Sequence, residues 1–145
     1  LSELLKNDIL VCATCAWLVA QVLKVLIDWL VSHTFDARRF FGMGGMPSSH
    51  AAFLVALTTM VASREGLGST FFAVSFALTM VVVYDAMGVR YQTGKQSHVL
   101  NRILHRMLVE GQSLGEKDLQ ELIGHTPTEV FFGSVIGLIV PVFFR

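Results

Sequence analysis

Residues 47–50 read Pro-Ser-Ser-His and residues 124–129 read Gly-His-Thr-Pro-Thr-Glu. Each stretch sets a histidine, hydroxyls and a proline where an apolar helix is expected to begin. Unpaired N–H groups at a helix start favour an anion, and serine hydroxyls add donors. A histidine beside such a nest can give a proton to a leaving oxygen. A histidine oriented by a carboxylate can act as nucleophile or base. The chemistry suggested is binding of an oxyanion and transfer of the group that carries it, with Ser48, Ser49, His50, His125 and Glu129 as candidates.

A plainer role is open to several of these residues. Ser48 suits an N-cap. Thr126 as N-cap, Pro127 at the first helical position and Glu129 at the third make a capping box. That box accounts for Thr126, Pro127 and Glu129, but leaves His125 unexplained at the same membrane face as His50.

Cations are spaced to join them. Lys24 and Asp28 are four apart and share a helix face. Ionisable groups inside a membrane segment are costly and are kept for function or for pairing. Lys24 is therefore either a partner of Asp28, snorkelling toward the interface, or a cation held for an anionic ligand. Asp85-x-x-Gly88-x-Arg90, followed by Gly94 and Lys95, brings further charge to the end of a third apolar segment, and Arg38 and Arg39 follow the first. Asp85 can pair with Arg90 or Lys95. Arg39, Arg90 and Lys95 are the additional anion-binding candidates. His98 and His105 read as solvated or interfacial.

The elements that must position these groups are helices of membrane length. The chain has 145 residues, is 53% hydrophobic and only 15% charged, whereas a soluble domain carries about a quarter charged residues. Candidate transmembrane helices cover residues 9–31, 50–64, 69–88 and 128–144. The first is broken only by Gln21, Lys24 and Asp28 and is long enough for about 30 Å of hydrocarbon. The second is short and needs the residues before it to reach across. In the fourth, Gly133 and Gly137 form a G-x-x-x-G, which lets helix backbones approach closely or reflects ordinary glycine use in membranes. Residues 96–123 form an interfacial segment, with Val99, Leu100, Ile103, Leu104, Met107 and Leu108 on one face of an amphipathic helix. The expected fold is an all-α polytopic bundle of about four transmembrane helices in one domain, residues 1–145.

Composition also excludes. A net charge of zero gives no footprint for nucleic acid. Cys12 and Cys15 lack the further ligands of a zinc site and read as small residues packed in a membrane helix. No cleavable leader pattern is seen. With four crossings, the loops after the first and third helices share one side, so the Pro-Ser-Ser-His and His-Thr-Pro-Thr-Glu stretches face each other. That side carries Arg38, Arg39, Arg90, Lys95, Arg102, Arg106 and Lys117 against Lys6, Arg64 and Arg145 on the other. By the positive-inside rule the site face is cytoplasmic, in a bacterial inner membrane or an organellar membrane.

Pro47-Ser48-Ser49-His50 resembles the P-S-G-H signature of the type 2 phosphatidic acid phosphatase superfamily, which includes vanadium-dependent haloperoxidases. The stretch from His125 to Gly137 resembles its third motif, a histidine followed four residues later by an acid. With "YDAMGVR" and "GKQ", the whole resembles the superfamily's divergent branch of small membrane proteins. The resemblance implies His125 as the nucleophile forming a phosphohistidine, oriented by Glu129. It implies His50 as the acid that protonates the leaving alkoxide, and Ser48 and Lys24 as phosphate ligands. Ser49 stands where the family has a glycine whose N–H binds phosphate. Val31 stands where an arginine follows the first-motif lysine, and Leu119 where the third-motif arginine is expected; Arg38, Arg39, Arg90 or Lys95 would have to substitute.

The function expected is a phosphoric ester hydrolase: a membrane phosphatase acting on a lipid or lipid-like phosphate monoester or diphosphate, with no metal and no cofactor. Its partners would be the lipid phosphate and surrounding membrane lipids, and a second copy could help to close the pocket as a homo-oligomer. The alternative is a non-catalytic protein that binds lipid phosphate and has lost the reaction, consistent with the absent arginine. Vanadate-dependent oxidation and metal-dependent phosphotransfer rank below these; the latter wants several carboxylates around its ion, and the Asp85 stretch has one.

Overall fold

The computed structural model describes residues 4–33, 45–87 and 126–144. Four α-helices account for most of them: α1 (Asp8–Ser32), α2 (Ser49–Glu65), α3 (Thr70–Met87) and α4 (Pro127–Ile139), the last continued by a 3-10 turn, Val140–Phe144. The all-helical membrane bundle expected from the sequence is what forms. Helices α1 and α3, and α4 with its 3-10 extension, are long and apolar enough to cross a membrane. Helix α2 has 17 residues, about 25 Å at 1.5 Å per residue.

Caps set the helix ends, at Ser48 and Thr126 as the sequence led one to expect. Asn7 accepts from the Leu10 N–H at the start of α1. His33, in the left-handed conformation, closes it by donating to the Trp29 carbonyl. Ser48 caps α2, Gly66 ends it with φ of 83°, and Ser69 Oγ accepts from the Phe72 N–H at the start of α3. Both halves of the Thr126–Glu129 capping box are present on α4.

Helix α2 is the centre of the bundle. It packs on α1, α3 and α4, while among the described residues α1 and α3 do not pack on each other. Three sets of contacts fix the directions. Asp8 at the start of α1 pairs with Arg64 at the end of α2. The Thr58 hydroxyl donates to the Ser75 carbonyl and the Thr79 hydroxyl to the Leu54 carbonyl. The Ser48 N–H donates to the Glu129 carbonyl. So α1 and α3 run antiparallel to α2, and α4 runs parallel to it.

The burial pattern is that of a membrane bundle. Buried positions hold small or polar residues: Cys12, Ala13, Ala16, Ala20 and Gln21 on α1, and Ser75 and Thr79 on α3. Long apolar side chains such as Leu26, Leu30, Phe71, Val74, Val81 and Phe131 are exposed. In hydrocarbon there is no hydrophobic force between helices, so small residues and interhelical hydrogen bonds do the packing. The closest example joins α2 and α4. A Cβ at Gly133 would overlap the Ser48 carbonyl oxygen, and one at Gly137 would stand 2.7 Å from both the Ala52 oxygen and Val55 Cβ. The G-x-x-x-G is a backbone-contact motif here. Cys12 and Cys15 are free thiols on α1, the first buried.

Candidate functional site

One end of the bundle gathers the last turns of α1 and α3 and the first turns of α2 and α4. Pro47 and the Ser48 N-cap turn the chain into α2, with Ser48 Oγ accepting from the Ala51 N–H at 3.4 Å. Ser48 is fully buried and Ser49 nearly so. Ser48 is held because α4 lies directly over it. The Ser48 N–H reaches the Glu129 carbonyl at 2.9 Å, and the absence of a side chain at Gly133 makes room for the Ser48 carbonyl. Beneath this contact, Ala51, Ala86 and Val130 form a small apolar floor from α2, α3 and α4, with Val83 and Met87 packed on it.

Lys24 enters the same end from α1. It is only 5% exposed, so its chain is turned into the protein instead of snorkelling outward. Its methylenes lie 3.6 Å from where a Cβ on Gly45 would stand. Gln21, one turn earlier, is buried with it. The Glu129 carboxylate is itself anchored, Oε2 accepting from the Thr126 N–H at 3.1 Å, while Thr126 Oγ1 accepts from the Glu129 N–H at 3.4 Å. A cation, a buried N-cap and a carboxylate from three different helices thus share one end of the bundle.

His50 is placed differently. Two residues on from Ser48 it departs about 200° round the helix, away from α4. The side chain is exposed and borders a cleft of about 390 Å³ between α1 and α3, floored by α2 and lined by Thr14, Trp17, His50, Phe53, Leu54 and Val82. Arg39, Arg90, Lys95 and His125, like the interfacial segment 96–123, lie outside the described residues.

The match to known proteins agrees with the motifs. A sequence profile described as the Divergent PAP2 family covers residues 5–140. The chain belongs to that family. It is also 40% identical over 148 residues to the uncharacterized membrane protein YuiD of Bacillus subtilis, across 95% of this chain and 94% of the relative. No solved structure matches. Membership in the divergent PAP2 branch, apolar spanning helices and a membrane-protein relative together make the chain an integral membrane protein.

Two features of this end were not read from the sequence. Gln21 read only as a break in the first apolar run, although a buried amide one turn from Lys24 is what a polar stripe on a membrane helix would place there. The Ala13-Ala16-Ala20 stripe, three and four residues apart, was the available signal for the face of α1 that packs inward.

Proposed function

We propose that this protein is a membrane phosphatase that hydrolyses a lipid or lipid-like phosphate through a phosphohistidine on His125. The observation that carries the reading is the meeting of Lys24, the Ser48 N-cap and Glu129 at one end of the bundle, at the positions where the family's motifs fall. Buried Lys24 and the α2 N-terminus suit the equatorial oxygens of a phosphoryl group. Glu129 is fixed to the Thr126 N–H, and the family resemblance assigns this acid the orientation of His125.

In this reading an imidazole nitrogen of His125 attacks phosphorus, and the bond from phosphorus to the lipid oxygen breaks with its electron pair on that oxygen. His50, as imidazolium, gives its proton to the oxygen, releasing the lipid alcohol. Neutral His50 then takes a proton from water as the water attacks the phosphohistidine, and inorganic phosphate leaves. The leaving oxygen is the atom that joins phosphate to hydrocarbon. An acid that serves it belongs at the edge of the phosphate pocket on the side where the lipid chain lies, which suits His50 at the mouth of an apolar cleft. No metal or cofactor enters this scheme.

The departures at Val31 and Leu119 favour a second reading, a lipid-phosphate binder without turnover, since losing one charge on the transferred group costs about 3–4 kcal/mol of transition-state stabilisation. Phosphate release from phosphatidic acid in detergent, with EDTA present and His125→Ala as control, tests both. Release that EDTA leaves intact and that His125→Ala abolishes supports the phosphatase; saturable vanadate binding without release supports the binder.

A further inference from the structure

The cleft between α1 and α3 meets the phosphate chemistry at His50 alone, and the rest of its described lining has no part in it. It exists because both helices pack on α2 and not on each other. Trp17 stands on one wall and Val82 on the other, with Phe53 and Leu54 on the floor. The Thr14 hydroxyl is turned back to the Leu10 carbonyl at 2.8 Å, so among the described residues the lining is apolar up to His50 at the α2 N-terminal end. The walls continue outward into exposed apolar side chains, Leu18 on α1 and Leu78 on α3 among them. In a spanning bundle such a surface faces hydrocarbon, so the material that reaches the cleft is an acyl or isoprenoid chain. Its volume, about 390 Å³, falls in the range of ligand sites.

The geometry points to this cleft as the seat of the substrate's hydrocarbon chain: a lipid phosphate enters sideways between α1 and α3, its chain along Trp17, Leu54 and Val82 and its phosphate-bearing end at His50. The inference rests on the lipid-phosphate reading above and deepens it by assigning chain recognition to residues that no motif covers. It makes Val82 and Thr14 determinants of chain preference.

Trp17 is the reporter. The sequence has two tryptophans, so Trp29→Phe leaves Trp17 alone. The full chain carrying Trp29→Phe is placed in phosphatidylcholine vesicles, and Trp17 fluorescence is followed as dibrominated-chain phosphatidic acid or dibrominated-chain phosphatidylcholine replaces the host lipid. Phosphate release is measured on the same vesicles. The expected result is quenching by the lipid phosphate at a mole fraction about tenfold lower than by phosphatidylcholine. Thr14→Phe with Val82→Phe, which fills the cleft, should bring the two lipids level, and Thr14→Phe alone, at an exposed position, should lower the preference in part. Equal quenching by both lipids, or shielding of Trp17 from both by another part of the chain, overturns the proposal. Selective quenching without phosphate release keeps the cleft and removes the phosphatase; phosphate release with unselective quenching does the reverse.

Discussion

The backbone N–H of Ser48 donates to the backbone carbonyl of Glu129 at 2.9 Å, tying the first turn of α2 to the first turn of α4. Ser48 and Glu129 are 81 residues apart in sequence, yet this bond makes the two motif stretches one structural unit. It is possible because Gly133, one turn further along α4, lets the Ser48 carbonyl come against its backbone. The site's geometry therefore depends on a glycine that has no chemistry of its own.

Gly133→Ala should be among the most damaging small substitutions in the chain. The added methyl meets backbone on α2, which cannot rotate away, and overpacking of this kind costs about 1–3 kcal/mol. Gly68→Ala is the control, because nothing lies within 4 Å of a Cβ there. Thermal unfolding in detergent should show a clear drop in midpoint for the first and little change for the second.

Glu129→Gln separates capping from catalysis. Glutamine can still accept from the Thr126 N–H, as capping boxes with either residue do, so the unfolding midpoint should stay near that of the parent. The charge that would orient His125 is gone, and phosphate release should fall by about 10²- to 10⁴-fold. A fall in midpoint as large as that of Gly133→Ala would instead make Glu129 a structural residue first.

On the proposed reading the Lys24 ammonium balances the Glu129 carboxylate, so removing it should harm both stability and turnover, at a cost of up to about 3 kcal/mol. Lys24→Met with Glu129→Gln should recover the midpoint while turnover stays lost. Recovery of both would show that Lys24 serves the fold alone.

The α2–α3 clamp gives a smaller, additive effect. Thr58 Oγ1 and Thr79 Oγ1 lie 2.8 Å apart and each is also within hydrogen-bonding distance of a carbonyl of the facing helix, so their two protons are shared among these three contacts. Interhelical hydrogen bonds in membrane bundles are worth about 0.6 kcal/mol on average and up to about 1.7. A double-mutant cycle of Thr58→Val and Thr79→Val should return a coupling in that range.

Much of this architecture was legible in the sequence, for a physical reason. Spanning length and end signals are local, so apolar runs read as 9–31, 50–64, 69–88 and 128–144 correspond to helices Asp8–Ser32, Ser49–Glu65, Thr70–Met87 and Pro127–Phe144, and the Thr126–Glu129 box formed as read. The way helices face one another was much less legible. In a soluble protein the apolar stripe marks the inside, but here every face is apolar and only small or polar residues mark contact. On α2, Ala51, Ala52 and Ala56 are buried while Phe53 and Leu57 are less so, the reverse of a soluble core. The direction of His50, toward the α1–α3 cleft and away from α4, depends on which helices flank α2, and no local signal carries that.

The central claim is a phosphoryl group carried on His125. Rapid acid-free quenching of purified protein mixed with phosphatidic acid labelled on its phosphate, followed by separation under alkaline conditions, tests it most directly. The account predicts protein-bound label that is stable to alkali, lost on brief acid treatment and absent in His125→Ala. Phosphate release with no such label, or the same label persisting in His125→Ala, would contradict it.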